Sequence, residues 1–364
     1  MLKKIASAVA LLTLGGAAFA QSSVTIYGIV DNAVEYMNNV GPTKSGLTRM
    51  PTLTGSVPSR LGFRGREDLG GGLSVGFTLE MGIGADSGVL NQGGRGFGRQ
   101  SFVSLNGPWG SLGFGRQYNM LFWSVLDADV IGPSLHSMAS LDSYFPNARA
   151  DNAISYKGTF SGLTVGATYS FGRDAVNAGP SPAGTNCAGE SSTDKSACRA
   201  WSALLKYDAP IWGVAFAHDD QRGGAGAFGG LISSSMHDKR TMLNGYVKFS
   251  GAKLGAGYMR RKNDGNLLSP TSDLLFVGAT YPVGQMTFDA QYNQLKFKDV
   301  NVKGQQVVLR GTYNLSKRTA AYASLAHMKN SSGASFGASS AQAGGTPMPG
   351  VNQTGFGAGI RHSF

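Results

Sequence analysis

Arg60, Arg64 and Arg66 stand at even positions of the segment RLGFRGR, with Gly62 between the first two and Leu61, Phe63 and Gly65 on the other parity. Successive side chains of an extended chain point to opposite faces, so the guanidiniums share one face of a strand and the apolar residues share the other. Arginine stays charged at any working pH, and three like charges in a row repel one another. Turned toward lipid, each would cost on the order of 2–4 kcal/mol at mid-bilayer. The arginine face is therefore expected to meet water, where a row of fixed positive charge attracts and filters small anions. Between Gln117 and Asp151 lies a long stretch with no alternation that carries Asp127 and Asp129, expected to project toward the same water. Arg116 and Arg149 flank it, and Glu80 sits on the polar side of the alternating segment Leu73 to Gly82. These eight residues are the expected lining of one passage.

Other chemistries find less support. The histidines (His136, His218, His237, His327 and His362) are dispersed, with no serine or acid at the spacing a nucleophile and its base require. Gly224 to Gly229 matches the dinucleotide-loop pattern in form, but LISSSMHD follows it instead of a helix, so it reads as a loop. An enzyme is the minor alternative, and no cofactor is expected. The only cysteines, Cys187 and Cys198, lie in or beside a Gly/Pro/Ser/Thr-rich stretch. Too few further ligands are near for a metal site, and outside the cytoplasm such a pair is expected to form a disulfide.

The outside location comes from residues 1–20, MLKKIASAVALLTLGGAAFA. Two lysines, a short apolar run and the small-x-small triplet Ala18-Phe19-Ala20 make the three-part pattern of a secretory signal peptide, with the mature chain expected over 21–364. The apolar run is shorter than the roughly 18–20 residues a helix needs to cross a bilayer, and no later stretch is long enough either. Mean hydropathy is −0.10, yet near-neutral hydropathy also suits a membrane barrel that turns only every second residue to lipid. Glycine supplies 54 of 364 residues, about twice the usual share of ~7%, which disfavours helices. The formal charge of +11 is +9 without Lys3 and Lys4. Its lysines and arginines are scattered singly, so they point to an electropositive passage for small anions and not to nucleic acid.

Alternation recurs along the chain. Leu73, Val75, Phe77, Leu79 and Met81 oppose polar or glycine neighbours, as do Leu163 to Phe171, Met286 to Tyr292 and Val307 to Tyr313. Short turns at 68–72, 107–110, 160–162, 210–213, 250–252, 282–284 and 315–317 join strands in pairs, and long polar links join the pairs. That asymmetry is the pattern of an outer-membrane barrel. Strands are expected to start near residues 24, 57, 73, 98, 110, 152, 162, 200, 213, 238, 252, 272, 284, 304, 317 and 353. The resulting fold class is all-β: a transmembrane antiparallel β-barrel of about 16 strands, wide enough for an aqueous channel. Two residues break the pattern: Asn32 interrupts the lipid-facing row Val24, Ile26, Gly28 and Val30, and Arg116 shares parity with Leu112 and Phe114.

SSVTIYGIVD, SRLGFRGREDLGGGL at 59–73, FGRQ at 114–117, LSKRT at 315–319 and the closing GIRHSF resemble the general porins of Gram-negative bacteria, in particular the trimeric β-proteobacterial type. The resemblance spans the mature chain. It implies a sixteen-stranded barrel in the outer membrane whose third long loop folds into the lumen. It also implies a homotrimer set among outer-membrane lipid and lipopolysaccharide, and passive diffusion of small hydrophilic solutes; a solute-specific channel is the alternative. In that family the terminal phenylalanine, here Phe364, is the signal read by the outer-membrane assembly machinery, and the last strand pairs with the first.

Overall fold

The computed structural model describes residues 23–145, 148–174, 185–341 and 344–364; the expected leader lies outside them. The strands are β1 (Ser23–Val40), β2 (Ser45–Arg49), β3 (Arg60–Gly70), β4 (Leu73–Gly82), β5 (Gln100–Gly107), β6 (Gly110–Tyr118), β7 (Arg149–Ala150), β8 (Ala153–Phe160) and β9 (Leu163–Ser170). They continue as β10 (Ala200–Asp208), β11 (Trp212–Arg222), β12 (His237–Phe249), β13 (Ala252–Asn263), β14 (Thr271–Val283), β15 (Met286–Phe297), β16 (Lys303–Asn314), β17 (Thr319–Asn330) and β18 (Gln353–Ser363). The short β2 and β7 are accessory pairings at the ends of β1 and β6. The other strands are the sixteen staves of a closed antiparallel barrel. Strand starts agree with the alternation to within three residues, the largest offset being Arg60 for an expected 57.

Closure uses both ends of the chain. One edge of β1 pairs with β18 from Ile29↔Ser363 to Met37↔Gly355, and the other pairs with β3 from Ser23↔Arg66 to Ile29↔Arg60. Phe364 extends the seam: its N–H donates to the Gly28 carbonyl and its carbonyl accepts from the Gly28 N–H, both at 3.1 Å. Its ring lies over Gly28, where a Cβ would collide with it. The periplasmic-type turns are tight. Ser161-Gly162 and Ser250-Gly251 both have positive φ at each residue (49° and 87°, 48° and 82°), which matches the right-handed twist of the strands they join.

Burial is the inverse of a water-soluble protein. Val24 and Ile26 are 64% and 60% exposed on the outer face of β1, while Asp31 and Glu35 on the inner face are 3% and 0% exposed. Leu205, Phe216, Leu243, Val277, Leu309 and Phe356 continue the outer apolar surface around the wall. Such a band is stable only against lipid, and a closed barrel is the sheet form that leaves no backbone group unpaired there. No described helix is long and apolar enough to cross a membrane; the strands do so.

The loop between β9 and β10 carries the Cys187–Cys198 disulfide, with Cα atoms 5.2 Å apart. Both sulfurs are buried against Ala227 of the neighbouring loop. Unreduced, unfolded protein is therefore expected to show no titratable thiol, and Cys187→Ser with Cys198→Ser to retain barrel migration on unboiled gels. Two free thiols per exported chain would contradict this placement.

Candidate functional site

The apolar core lies inside the barrel and is built by the long segment between β6 and β8, here called loop 3. Asn119 caps its helix Met120–Val125, its side chain accepting from the Phe122 N–H at 3.3 Å. Met120, Leu121, Val125, Ala128, Ile131, Met138 and Leu141 are buried against lumen-facing Leu204, Ala217, Met242, Met259, Leu274, Phe276 and Val308. Each such side chain removed from water contributes on the order of 1.5–3 kcal/mol, so loop 3 is a packed element. Glycine makes the seat. A Cβ at Gly255 would run into the Ala128 backbone, one at Gly278 would meet Val130, and one at Gly166 would meet Met120.

Polar clamps fix the seated loop. Arg310 on β16 donates to the carbonyls of Ile131 at 2.9 Å and Val130 at 3.3 Å and is paired with Asp289 at 2.9 Å. Arg240 on β12 pairs with Asp142 at 3.2 Å and with Asp238 at 2.9 Å. Burial raises the Asp142 carboxyl, but the Arg240 and Arg261 guanidiniums outweigh it and hold the group below its ordinary value. His136 lies between Ser324, 2.8 Å from its Nδ1, and Glu35, 3.4 Å from its Nε2. Two further loops turn inward, which the sequence did not indicate. Asp31 accepts from Ser56 Oγ at 2.6 Å, from the Val57 N–H at 2.9 Å and from the Tyr322 hydroxyl, and so draws 53–58 into the lumen. Ser140 Oγ meets the Ala338 carbonyl at 3.2 Å, bringing the loop after β17 over loop 3.

The remaining charge lies chiefly on β3 to β6. Arg60, Gly62, Arg64 and Arg66 face the lumen, and Gly62 leaves space for the Tyr27 ring. Arg64 stands over that ring at 5.2 Å. The Tyr27 hydroxyl donates to Glu80 at 3.0 Å, and Glu80 accepts from Arg99 Nε at 2.7 Å. Arg99 and Arg149 each donate to the Tyr118 hydroxyl, at 2.7 and 2.6 Å, and Arg149 stacks over the Tyr118 ring at 4.4 Å. Arg60 donates to the Pro58 carbonyl at 3.1 Å, and Arg66 to Ser74 Oγ at 3.0 Å. Among the described residues, Arg60, Arg64, Arg66 and Arg149 form no ion pair. Arg64 and Arg66 are exposed; Arg60 is half-buried, and Arg149 is buried.

Not every expected lining residue joins this face. Arg116 is tied instead to Asp151 Oδ1 at 2.5 Å and to the Gly98 carbonyl at 2.7 Å, with its side chain 11% exposed. Its sequence twin is the residue that enters the cluster: FGRQ occurs at 97–100 as well as 114–117, and in the first copy Arg99 precedes β5 and meets Glu80. The repeat was the available signal for Arg99. Asp127 is paired with Lys206 of β10, and Lys206 also reaches Asp208 at 3.0 Å. Asp129 turns toward the seat, accepting from the Ile131 N–H at 3.2 Å, and burial there raises its carboxyl above the ordinary value. The two acids thus lie on loop 3 without a contact to the β3 arginines.

A family model described as Gram-negative porin matches residues 6–333. Outer membrane porin protein 32 of Delftia acidovorans is 34% identical over 377 aligned residues, covering 100% of both chains. An outer membrane porin of Bordetella pertussis is 31% identical, covering 78% of this chain and 73% of its own. Among solved structures, an anion-selective porin from Comamonas acidovorans superposes with a TM-score of 0.77 at 29% identity, covering 94% of this chain and 100% of its own. OmpT of Vibrio cholerae shares the fold at a TM-score of 0.66 and 15% identity, covering 94% and 98%.

The seat makes two predictions. Gly255→Val would drive loop 3 off the wall, so single-channel conductance is expected to fall by about half or more; unchanged conductance would place the loop elsewhere. Asp142 has a depressed carboxyl, so its pairing stabilises the seat fully above the ordinary carboxylate value of about 4 and is lost as pH falls through the depressed folded value. Current noise from a loosened loop is expected in the parent only once pH falls below that depressed value, and already at neutral pH in Asp142→Asn. Quiet channels from that variant at neutral pH would show that the clamp is idle.

Proposed function

Since the chain belongs to the Gram-negative porin family, we propose that it forms a homotrimeric outer-membrane channel that prefers small anions. The barrel is a passive, water-filled path through the outer membrane. The preference rests on one observation: the lumen face of β3 presents Arg60, Arg64 and Arg66 with no ion pair among the described residues, while Asp127 is paired with Lys206. Glu80 is likewise engaged, by Arg99 at 2.7 Å. A fixed positive face beside a loop whose acids are paired or turned away lowers the energy of an anion in the passage and raises that of a cation. The anion preference of the similar Comamonas acidovorans structure supports the same reading. For the trimer, support comes from membership of the porin family.

In planar bilayers under a KCl gradient the reversal potential is expected on the chloride side, shrinking as total salt rises because the screening length falls to about 3 Å at 1 M. Arg60→Glu with Arg64→Glu should move it by about half or more toward potassium. A cation-selective parent, or a double variant with the parental potential, would reduce these arginines to wall charges.

A further inference from the structure

Loop 3 carries an apolar groove apart from its seat. Its helix packs Met120, Leu121 and Val125 into the buried core against the wall and leaves Phe122 half-buried. Leu126, just after the helix, is 40% exposed inside the barrel. The groove has a volume of about 120 Å³ and is lined chiefly by Phe122, Val125, Leu126, Pro133, Met138 and Phe145. A leucine that meets water inside a channel has no lipid to cover it, so this surface is apolar where the wall opposite carries charge.

Two contacts connect the groove to the arginines. Phe122 stacks on Tyr118, with ring centroids 3.7 Å apart and planes 11° apart, and the Tyr118 hydroxyl is the acceptor for Arg99 and Arg149. The groove also shares Pro133 and Ala139 with a smaller cleft that reaches Pro58 and Arg99. Arg60 donates to the Pro58 carbonyl at 3.1 Å, is half-buried and forms no ion pair among the described residues. Among the residues lining the groove Asp129 is the ionisable one, and its carboxylate accepts from the Ile131 N–H at 3.2 Å. The groove is thus apolar along its body and positive at the border it shares with β3.

We propose that the groove and Arg60 together bind an aromatic monocarboxylate on its way through the channel. The site rests on the anion preference read from the β3 arginines and adds to it the class of anion that is retained. Size selects the ring: an apolar cavity of about 150 Å³ takes one benzene, so a groove of about 120 Å³ suits a single ring. Phe122 and Phe145 offer the offset and edge contacts that aromatic pairs prefer. Charge selects the head, since a guanidinium holds a carboxylate through two parallel N–H donors and no acid competes for Arg60. A second carboxylate on the ring is disfavoured, because it would be buried among apolar side chains beside Asp129. One ring and one carboxylate make a site favourable enough to gather the solute and loose enough to release it.

The test uses the full-length detergent-purified protein in planar bilayers, with benzoate as the probe and chloride current as the readout. Benzoate should reduce the current saturably, reaching half-block at a concentration about tenfold below that of acetate. Hexanoate and terephthalate should each need more than benzoate does. Leu126→Gln, which puts an amide in the groove, should raise the benzoate half-block concentration about tenfold and leave acetate block and the KCl reversal potential parental. Arg60→Gln should weaken block by benzoate and by acetate alike. Heat-dependent gel migration reports folding; if Leu126→Gln misfolds, the four carboxylates on the parent channel decide alone. In a chloride-selective parent, benzoate no stronger than acetate, hexanoate as strong as benzoate, or terephthalate stronger than benzoate would overturn the proposal. So would parental benzoate block in a folded Leu126→Gln channel. A cation-selective parent would overturn the anion preference itself and the site with it.

Discussion

Every backbone N–H and C=O at membrane depth must find a partner within the protein, because hydrocarbon offers none. For strands this demands closure, and the β1–β18 seam, extended by the Gly28–Phe364 pair of bonds at 3.1 Å, supplies it. Closure has a second consequence. Once the sheet is a cylinder, the period-two alternation of each strand sorts its side chains into lipid-facing and lumen-facing sets with no third option. The outward Val24 and Ile26 and the inward Asp31 and Glu35 of one strand are the same rule applied to even and odd positions.

The interior created this way is too wide to be filled by wall side chains alone, and loop 3 fills part of it. Its seat is asymmetric. Beneath the loop, from β9 round to β18, the wall offers glycine and apolar side chains together with buried, paired groups such as Arg240, Asp289 and Arg310; from β3 to β6 it offers arginines and Glu80. The charges of the seat are thus paired, while Arg60, Arg64 and Arg66 on β3 form no ion pair among the described residues. Buried clamps such as Arg240–Asp142 and Arg310 on the Val130 and Ile131 carbonyls hold the division in place. On the proposed reading, positioning and selectivity are separated: paired arginines hold the loop, and arginines without acid partners would act on solutes.

Much of this was legible in the sequence, and the reason is periodicity. Alternation located the start of each strand within three residues, and the absence of alternation between Gln117 and Asp151 marked loop 3. The cysteine pair was legible from compartment alone. Less legible was anything set by contacts between distant segments. Arg116 was expected in the lining because it flanks the loop, whereas its side chain is held by Asp151; the partner of Glu80 is Arg99 of the other FGRQ copy, which lies just before its strand and so escapes the parity count. Asp127 and Asp129 were placed correctly on the loop, but whether a carboxylate faces the passage or a lysine depends on Lys206, which lies 79 residues away in sequence. The inward turn of 53–58 hangs on Asp31, whose acceptor role has no local signature.

The central claim is that β3 turns Arg64 to water in a positive field while its neighbour Phe63 faces outward. Cysteine replacements at the two positions, in a Cys187→Ser, Cys198→Ser background, test it directly through modification rates with small thiol reagents of opposite charge. The Arg64→Cys channel should react readily from the aqueous phase, faster with the anionic than with the cationic reagent because Arg60 and Arg66 remain, and Phe63→Cys should stay unmodified. A reactive Phe63→Cys beside an inert Arg64→Cys would invert the barrel's faces, and a faster cationic reagent at Arg64→Cys would contradict the positive passage.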